Sequence, residues 1–294
     1  MRNIILIVED SRSFALSLEA AVRQGSSFDV LVALNYAQAC QMLEKYKEEI
    51  FLAITDLNLP DAEPGDAAKL MATNNILCIA FTGNFSRGLR EEVLSLGVSD
   101  YVLKNDKQDI DYVVNMINRM SNNRNIEVLV VDDSNSSREL LSTLLENQCY
   151  QVTVAGSGKE ALKLLEQGGR FRILLIDIVM EGMDGFQLLR ALREKYDVTQ
   201  MSIIGISGKA DSIDVAKFMK YGGNDFLTKP IEQEQLCCRV NTNAQLLDQF
   251  DNLNQLNLQK NELLGMAAHD IRGPLGVVMS GCSMLKKEVS TEHG

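Results

Sequence analysis

Basic residues, histidines and long apolar runs are scarce in this chain, and each scarcity closes off a class of function. Lysine and arginine number 29 against 40 aspartates and glutamates, a formal net charge of −11. Binding nucleic acid by its phosphates needs a basic face, so a general nucleic-acid surface is excluded and any link to DNA has to be indirect. Only two histidines occur, His269 and His293. That is too few for a histidine-based metal centre or a hydrolytic triad. The apolar runs are of strand length, well short of the roughly 20 residues that a membrane helix needs. Asn3 to Val8 is too short for a signal-peptide core, and Glu9 and Asp10 follow at once. The six cysteines, at 40, 78, 149, 237, 238 and 282, show no metal-ligand spacing. They read as reduced packing residues of a cytoplasmic protein. No low-complexity tract and no glycine-rich nucleotide loop interrupts the chain.

What is present begins with FRILLIDIVMEGMDG, Phe171 to Gly185. The run Ile173 to Ile176 predicts a strand buried on both faces, and Gly182 and Gly185 punctuate a loop after it. Asp177 then stands at the carboxyl end of a central parallel strand, where open α/β sheets place their ligands. Taken alone, such an aspartate is ordinarily a solvated residue or a helix cap. The rest of the chain changes that reading.

From the N-terminus, strands are expected at 3–8, 28–33, 50–55, 76–81 and 100–103, with a helix following Ser11 and others near 35–48, 66–73, 86–96 and 107–120. Ser11 is the expected cap of the first helix, whose buried face carries Phe14, Leu18, Ala21 and Val22. Five βα units in succession predict a parallel sheet with helices on both faces. After the polar segment 121–125 the pattern restarts, with a strand at 126–131 and Ser134 as the next cap. The acid–acid pair Glu9-Asp10 recurs as Asp132-Asp133, Asp56 as Asp177, Thr82 as Ser207 and Lys104 as Lys229, each 121 to 125 residues later. A near-constant offset at four chemically matched positions marks a duplicated domain. The expected organisation is therefore 1–120, a linker at 121–125, 126–240, and a helical segment at 241–294.

In a doubly wound sheet the four strand ends of each copy meet in one cleft. Three clustered carboxylates cannot all remain ionised without a cation, and hard oxygen donors of this kind suit Mg²⁺. Lysine adds a compact positive charge and the hydroxyl a hydrogen-bond donor. Such a site stabilises charge on phosphoryl oxygens while one aspartate attacks phosphorus.

These residues resemble two receiver domains of two-component signalling, over about residues 3–120 and 126–240. The resemblance implies two flavodoxin-like doubly wound five-stranded parallel-sheet domains, with Asp56 and Asp177 as phosphoacceptors. It implies Mg²⁺ bound by Asp10 and Asp133, beside Glu9 and Asp132, with the backbone carbonyls of Asn58 and Val179 completing the set. Thr82 and Ser207 would turn toward the phosphate, and Tyr101 and Phe226 occupy the aromatic switch position. Lysine is commonly followed by proline in this family, supporting a cis peptide. The second copy has Lys229-Pro230, but the first has Lys104-Asn105. A cis bond there would cost about 2.5–4 kcal/mol, so a trans or strained peptide is expected.

From Glu232 to Ala268 there is no proline and only Gly265, which predicts one long helix. Leu246, Phe250 and Leu253 stand at coiled-coil spacing. Asn257 and Lys260 then break the seam, and Leu256, Leu263 and Ala267 restore it in another phase. HDIRGPL, 269–275, resembles the H-box of histidine kinases over roughly residues 258–289. That resemblance implies His269 as phosphoacceptor, Asp270 as its neighbouring acid and a helix bent at Pro274. Gly273 replaces the threonine or asparagine usual in that family, which removes a residue tied to dephosphorylating the partner regulator. With no nucleotide loop, this chain alone is expected to lack autokinase activity, and His269 to accept phosphate in trans.

The expected protein is the input half of a hybrid histidine kinase, a fragment of a longer chain. Its expected partners are a phosphodonor histidine kinase or phosphotransfer protein, a downstream response regulator, and a second copy in a parallel homodimer. No membrane or nucleic acid is expected. A non-enzymatic tandem-receiver adaptor remains open. An aspartate-nucleophile phosphatase of the haloacid dehalogenase kind wants a second aspartate two residues on, where Asn58 and Val179 stand.

Overall fold

The structure, a computed structural model, describes residues 2–83, 97–104, 107–208 and 212–291. The first half comprises β1 (Ile4–Val8), α1 (Arg12–Gly25), β2 (Asp29–Ala33), α2 (Tyr36–Tyr46), β3 (Ile50–Thr55), α3 (Asp66–Thr73), β4 (Leu77–Thr82), β5 (Asp100–Leu103) and α4 (Lys107–Asn123). The second comprises β6 (Glu127–Val131), α5 (Asn135–Glu146), β7 (Gln151–Ala155), α6 (Gly158–Glu166), β8 (Ile173–Asp177), α7 (Gly185–Arg193), β9 (Ser202–Ser207), α8 (Ser212–Lys220) and β10 (Asp225–Thr228). A single helix, α9 (Gln233–Thr291), ends the chain. The helix expected near 86–96 lies outside the described residues.

Each half is a five-stranded parallel sheet. The order is β2-β1-β3-β4-β5 in the first, and β7-β6-β8-β9-β10 in the second. This is the flavodoxin-like doubly wound order, in which the chain reverses direction across the sheet between the first and third strands. The near-continuous apolar strands follow from covering both faces. Along β1, Ile4, Leu6 and Val8 pack with Ala39, Leu43 and Met71 of α2 and α3. Ile5 and Ile7 point the other way, against Leu18 and Val22 of α1 and Val113, Ile117 and Met120 of α4. The two-residue period of the strand thus divides one apolar string between two cores.

Residues up to Ala244 form one compact unit, and a seam of amide side chains joins its halves. Asn123, with no exposed surface, donates through Nδ2 to the Gln148 carbonyl at 2.8 Å and to Asn241 Oδ1 at 3.2 Å. The Tyr150 hydroxyl donates to the same Asn241 oxygen at 2.7 Å. Gln148 Nε2 crosses to the Ser99 carbonyl at 2.7 Å. The polar composition of 121–125 therefore belongs partly to this seam. Helix α4 runs to Asn123 because buried partners satisfy its amide there, and the Arg124 guanidinium lies 3.8 Å from the Phe51 ring centre.

Asp100 sits beside the seam. Burial pushes its carboxyl up to about 6 and the nearby Glu234 adds to this, while the Tyr101 amide, 2.7 Å away, and the Tyr112 hydroxyl pull the other way. The folded state therefore disfavours ionised Asp100. Stability is lost as pH rises from its ordinary value of 3.8 through about 6, and is level above that. Asp100→Asn keeps the shape and removes the charge. We expect it to raise the Tm by a few degrees at pH 8 and to leave it unchanged near pH 4; a gain of equal size at both would refute the assignment.

The second unit begins at Gln245 and consists, among the described residues, of the remainder of α9. The helix continues past position 274 to Thr291. Leu246, Phe250, Leu253, Leu256 and Leu263 are all exposed along it. No helix of the described residues is long and apolar enough to cross a membrane.

Candidate functional site

The carboxyl edge of the first sheet carries the first candidate site. Glu9 and Asp10 follow β1, Asp56 follows β3, Thr82 ends β4 and Lys104 follows β5. Lys104 Nζ donates to Glu9 Oε2 and to Asp56 Oδ2, both at 2.5 Å. The second oxygen of each acid is also held: the Ser11 amide reaches Glu9 Oε1 at 3.2 Å and the Asn58 amide reaches Asp56 Oδ1 at 3.0 Å. Glu9, Asp56 and Thr82 are buried, whereas Asp10 and Asn58 are exposed. Burial drives the Glu9 carboxyl above its ordinary value, against the opposing pull of Lys104. Phe14 and Phe81, 5.2 Å apart between ring centres, flank the ammonium at 5.1 and 5.7 Å. Phe14 reads in the sequence as part of a helix's buried face. The position of Lys104, just past β5, shows that Phe14 also walls the site.

The second edge repeats the plan with different neighbours. Lys229 Nζ donates to Asp132 Oδ2 at 2.8 Å and to Asp177 Oδ2 at 2.6 Å, and the Val179 amide donates to Asp177 Oδ1 at 2.9 Å. Burial works against the charge on Lys229, but its hydrogen bonds to Asp132 and Asp177 outweigh it and hold the ammonium above its ordinary value. Asp132, Asp177 and Ser207 are buried and Asp133 is exposed. Where the first copy has Phe14, the second places the Ser137 hydroxyl 3.5 Å from Lys229 Nζ. Ser134 caps α5 through the Ser137 amide, as expected. Ser11 makes no such bond, and its hydroxyl pairs with that of Ser13 instead.

The loop after Asp177 is packed tightly against the strand. A Cβ on Gly185 would lie 2.5 Å from the Asp177 carbonyl oxygen, so only glycine admits this approach. The Lys229-Pro230 peptide is cis, while the bond from Lys104 to Asn105 falls outside the described residues. Tyr101 and Phe226 are half-buried, and Phe226 stands edge-on to Phe218 at 5.6 Å.

Oxygens of Glu9, Asp10 and Asp56 lie within 4.8 Å of one another, as do those of Asp132, Asp133 and Asp177. Each set gathers three hard donors around a single lysine, a donor chemistry that fits Mg²⁺ better than any softer metal. The structure thus brings together Glu9, Asp10, Asp56, Thr82 and Lys104 on one edge, and Asp132, Asp133, Asp177, Ser207 and Lys229 on the other. Asn58 and Val179 lie beside their aspartates through their amides. His269 is exposed on α9 in the second unit, and the side chain of Asp270 lies outside the described residues.

This fold, with an acid cluster and a bridging lysine on each carboxyl edge, defines a tandem receiver protein. The response regulator receiver domain family matches residues 5–115 and 128–241, and the chain belongs to that family. Receiver domains of this family serve two-component phosphorelay signalling. The chain is 33% identical over 116 residues to the two-component response regulator ORR3 of Oryza sativa subsp. indica, covering 38% of this chain and 88% of that one. It is 28% identical over 257 residues to the CAI-1 autoinducer sensor kinase/phosphatase CqsS of Vibrio cholerae. That match covers 80% of this chain but spans only 34% of CqsS. Among solved structures, a two-component system response regulator/GGDEF domain protein superposes with a TM-score of 0.76 at 37% identity, covering 84% of this chain and 99% of that one.

Proposed function

We propose that Asp56 and Asp177 are phosphoryl acceptors and that their state governs a dimeric helix bearing His269. The observation that carries this reading is the lysine that bridges two acids on each edge, Lys104 between Glu9 and Asp56 and Lys229 between Asp132 and Asp177. A carboxylate oxygen of the aspartate forms a bond to phosphorus as the donor's P–N bond breaks, and the departing imidazole takes its proton from solvent. The lysine, already within hydrogen-bond reach of the acceptor, neutralises charge on the transferred oxygens. The Thr82 and Ser207 hydroxyls, at the ends of the adjacent strands, supply a further donor. Mg²⁺, held by Asp10 and Asp56 or by Asp133 and Asp177 with the Asn58 and Val179 carbonyls, would offset the rest of that charge.

For α9, the supporting observation is its line of exposed leucines. A single helix cannot bury them on itself, and a second copy aligned in parallel can. The kinase in the name of CqsS agrees with reading His269 as an acceptor, with Asp270 as its polarising neighbour. The phosphodonor would be a histidine kinase or phosphotransfer protein, and the recipient a downstream response regulator. Label from a small phosphodonor should require Mg²⁺ and be released by neutral hydroxylamine, as an acyl phosphate is. Label that forms in EDTA or resists hydroxylamine would contradict the assignment.

A further inference from the structure

The two edge strands that deliver the lysines are held in different ways. In the second half, Asn224 precedes β10 and is clamped within its own domain. Its side-chain oxygen accepts from Arg193 at 2.6 Å and from the Ile203 amide at 2.9 Å. The matching residue of the first half is Ser99, too short for that bridge, and its buried hydroxyl has no hydrogen-bond partner among the described residues. Thr73, the last residue of α3, stands where α7 ends in Arg193. The first half therefore lacks both members of the clamp.

The missing support comes from the second half. Gln148 Nε2 donates to the Ser99 carbonyl at 2.7 Å, and Gln233 Nε2 to the carbonyls of Val98 at 3.1 Å and Ser99 at 3.3 Å. Gln148 is buried and its orientation is set, because its side-chain oxygen accepts from Asn241 Nδ2 at 3.2 Å. Reversing the amide would set oxygen against the Ser99 carbonyl. On the other side, the Ser99 amide donates to the Cys78 carbonyl of β4 at 2.8 Å. From Ser99 the chain runs straight through the four residues of β5, an edge strand paired, among the described residues, only with β4, into Lys104.

We propose that Gln148 and Gln233 are positioning residues for the first site, fixing β5 so that Lys104 meets Asp56. The second receiver thereby completes the first, whereas the second site depends on its own Arg193–Asn224 clamp. The catalytic part of this proposal rests on Asp56 and Asp177 being acceptors.

The test uses the full chain. Gln148→Ala removes the stronger donor, and Gln233→Ala, at a half-buried position, serves where the first variant fails to fold. Each is combined with Asp177→Asn to read Asp56 alone, or with Asp56→Asn to read Asp177 alone. Labelling of Asp56 by acetyl phosphate should slow by about three- to tenfold, the equivalent of one net hydrogen bond. Labelling of Asp177 should be unchanged, although Gln233 lies only four residues from Lys229 in the chain. General damage to the second half would slow Asp177 first. Equal slowing at both sites, or none at Asp56, overturns the proposal. The amide resonances of Leu103 and Lys104 give a readout that does not depend on phosphate. They should shift in Gln233→Ala while those of Asp177 and Lys229 stay in place. If wild type labels at neither aspartate, the acceptor reading fails, and these resonances alone decide whether the seam positions Lys104; unmoved Lys104 peaks refute it.

Discussion

Lys229→Ala is expected to destabilise the protein by about 3–5 kcal/mol at neutral pH without divalent cation, with much of the loss recovered in millimolar Mg²⁺. Lys229 is the partner of two buried acids, Asp132 and Asp177, at 2.8 and 2.6 Å. Removing it leaves their charges facing each other away from water, and breaking a buried pair costs on that order. The same set, joined by Asp133, is the one suited to a cation, so Mg²⁺ should replace the missing charge. Lys104→Ala should behave alike, since Lys104 is buried more deeply than Lys229 and its partners Glu9 and Asp56 are buried as well. Urea titrations with and without Mg²⁺ read the effect. A variant midpoint that Mg²⁺ fails to raise more than it raises wild type would show that these acids do not form the cation site.

The second large effect concerns α9. The combined substitution Leu253→Glu with Leu256→Glu should convert the proposed dimer into a monomer in analytical ultracentrifugation. By its spacing Leu253 falls in phase with Leu246 and Phe250, and Leu256 with Leu263 and Ala267, so the pair strikes both proposed phases. Burying a leucine is worth about 1.5–3 kcal/mol, and each substitution acts twice in a symmetric pair. Opposed glutamates add repulsion. Leu253→Glu alone should weaken association less, because the second phase remains available. A double variant that stays dimeric at micromolar concentration would place the association elsewhere.

Strand ends and acceptor candidates were legible in the sequence because their signals are local and repeated. The apolar strings of β1, β3 and β8 stop at acids, and the near-constant spacing from Asp10 to Asp133 and from Lys104 to Lys229 identified the second copy. Strand boundaries fell within a residue or so: the strand expected at 76–81 spans Leu77–Thr82, and that at 126–131 spans Glu127–Val131. The seam was not legible. Gln148, Asn123, Gln233 and Asn241 are ordinary polar residues of turns and helices, and their role depends on partners up to about 135 residues away. A polar stretch such as 121–125 has the composition of a linker whether water or buried carbonyls satisfy it. Phe14 packs against the core as its helical period predicts, but its second role beside Lys104 was not legible, since periodicity gives a face and not what lies across it.

The central claim is that each half carries one acceptor aspartate. Intact mass after acetyl phosphate treatment in Mg²⁺ tests it most directly, on wild type, Asp56→Asn, Asp177→Asn and the double variant. The account predicts at most two phosphoryl groups on wild type, one on each single variant and none on the double. A double variant that still gains a phosphoryl group, or a single variant that gains two, would contradict it.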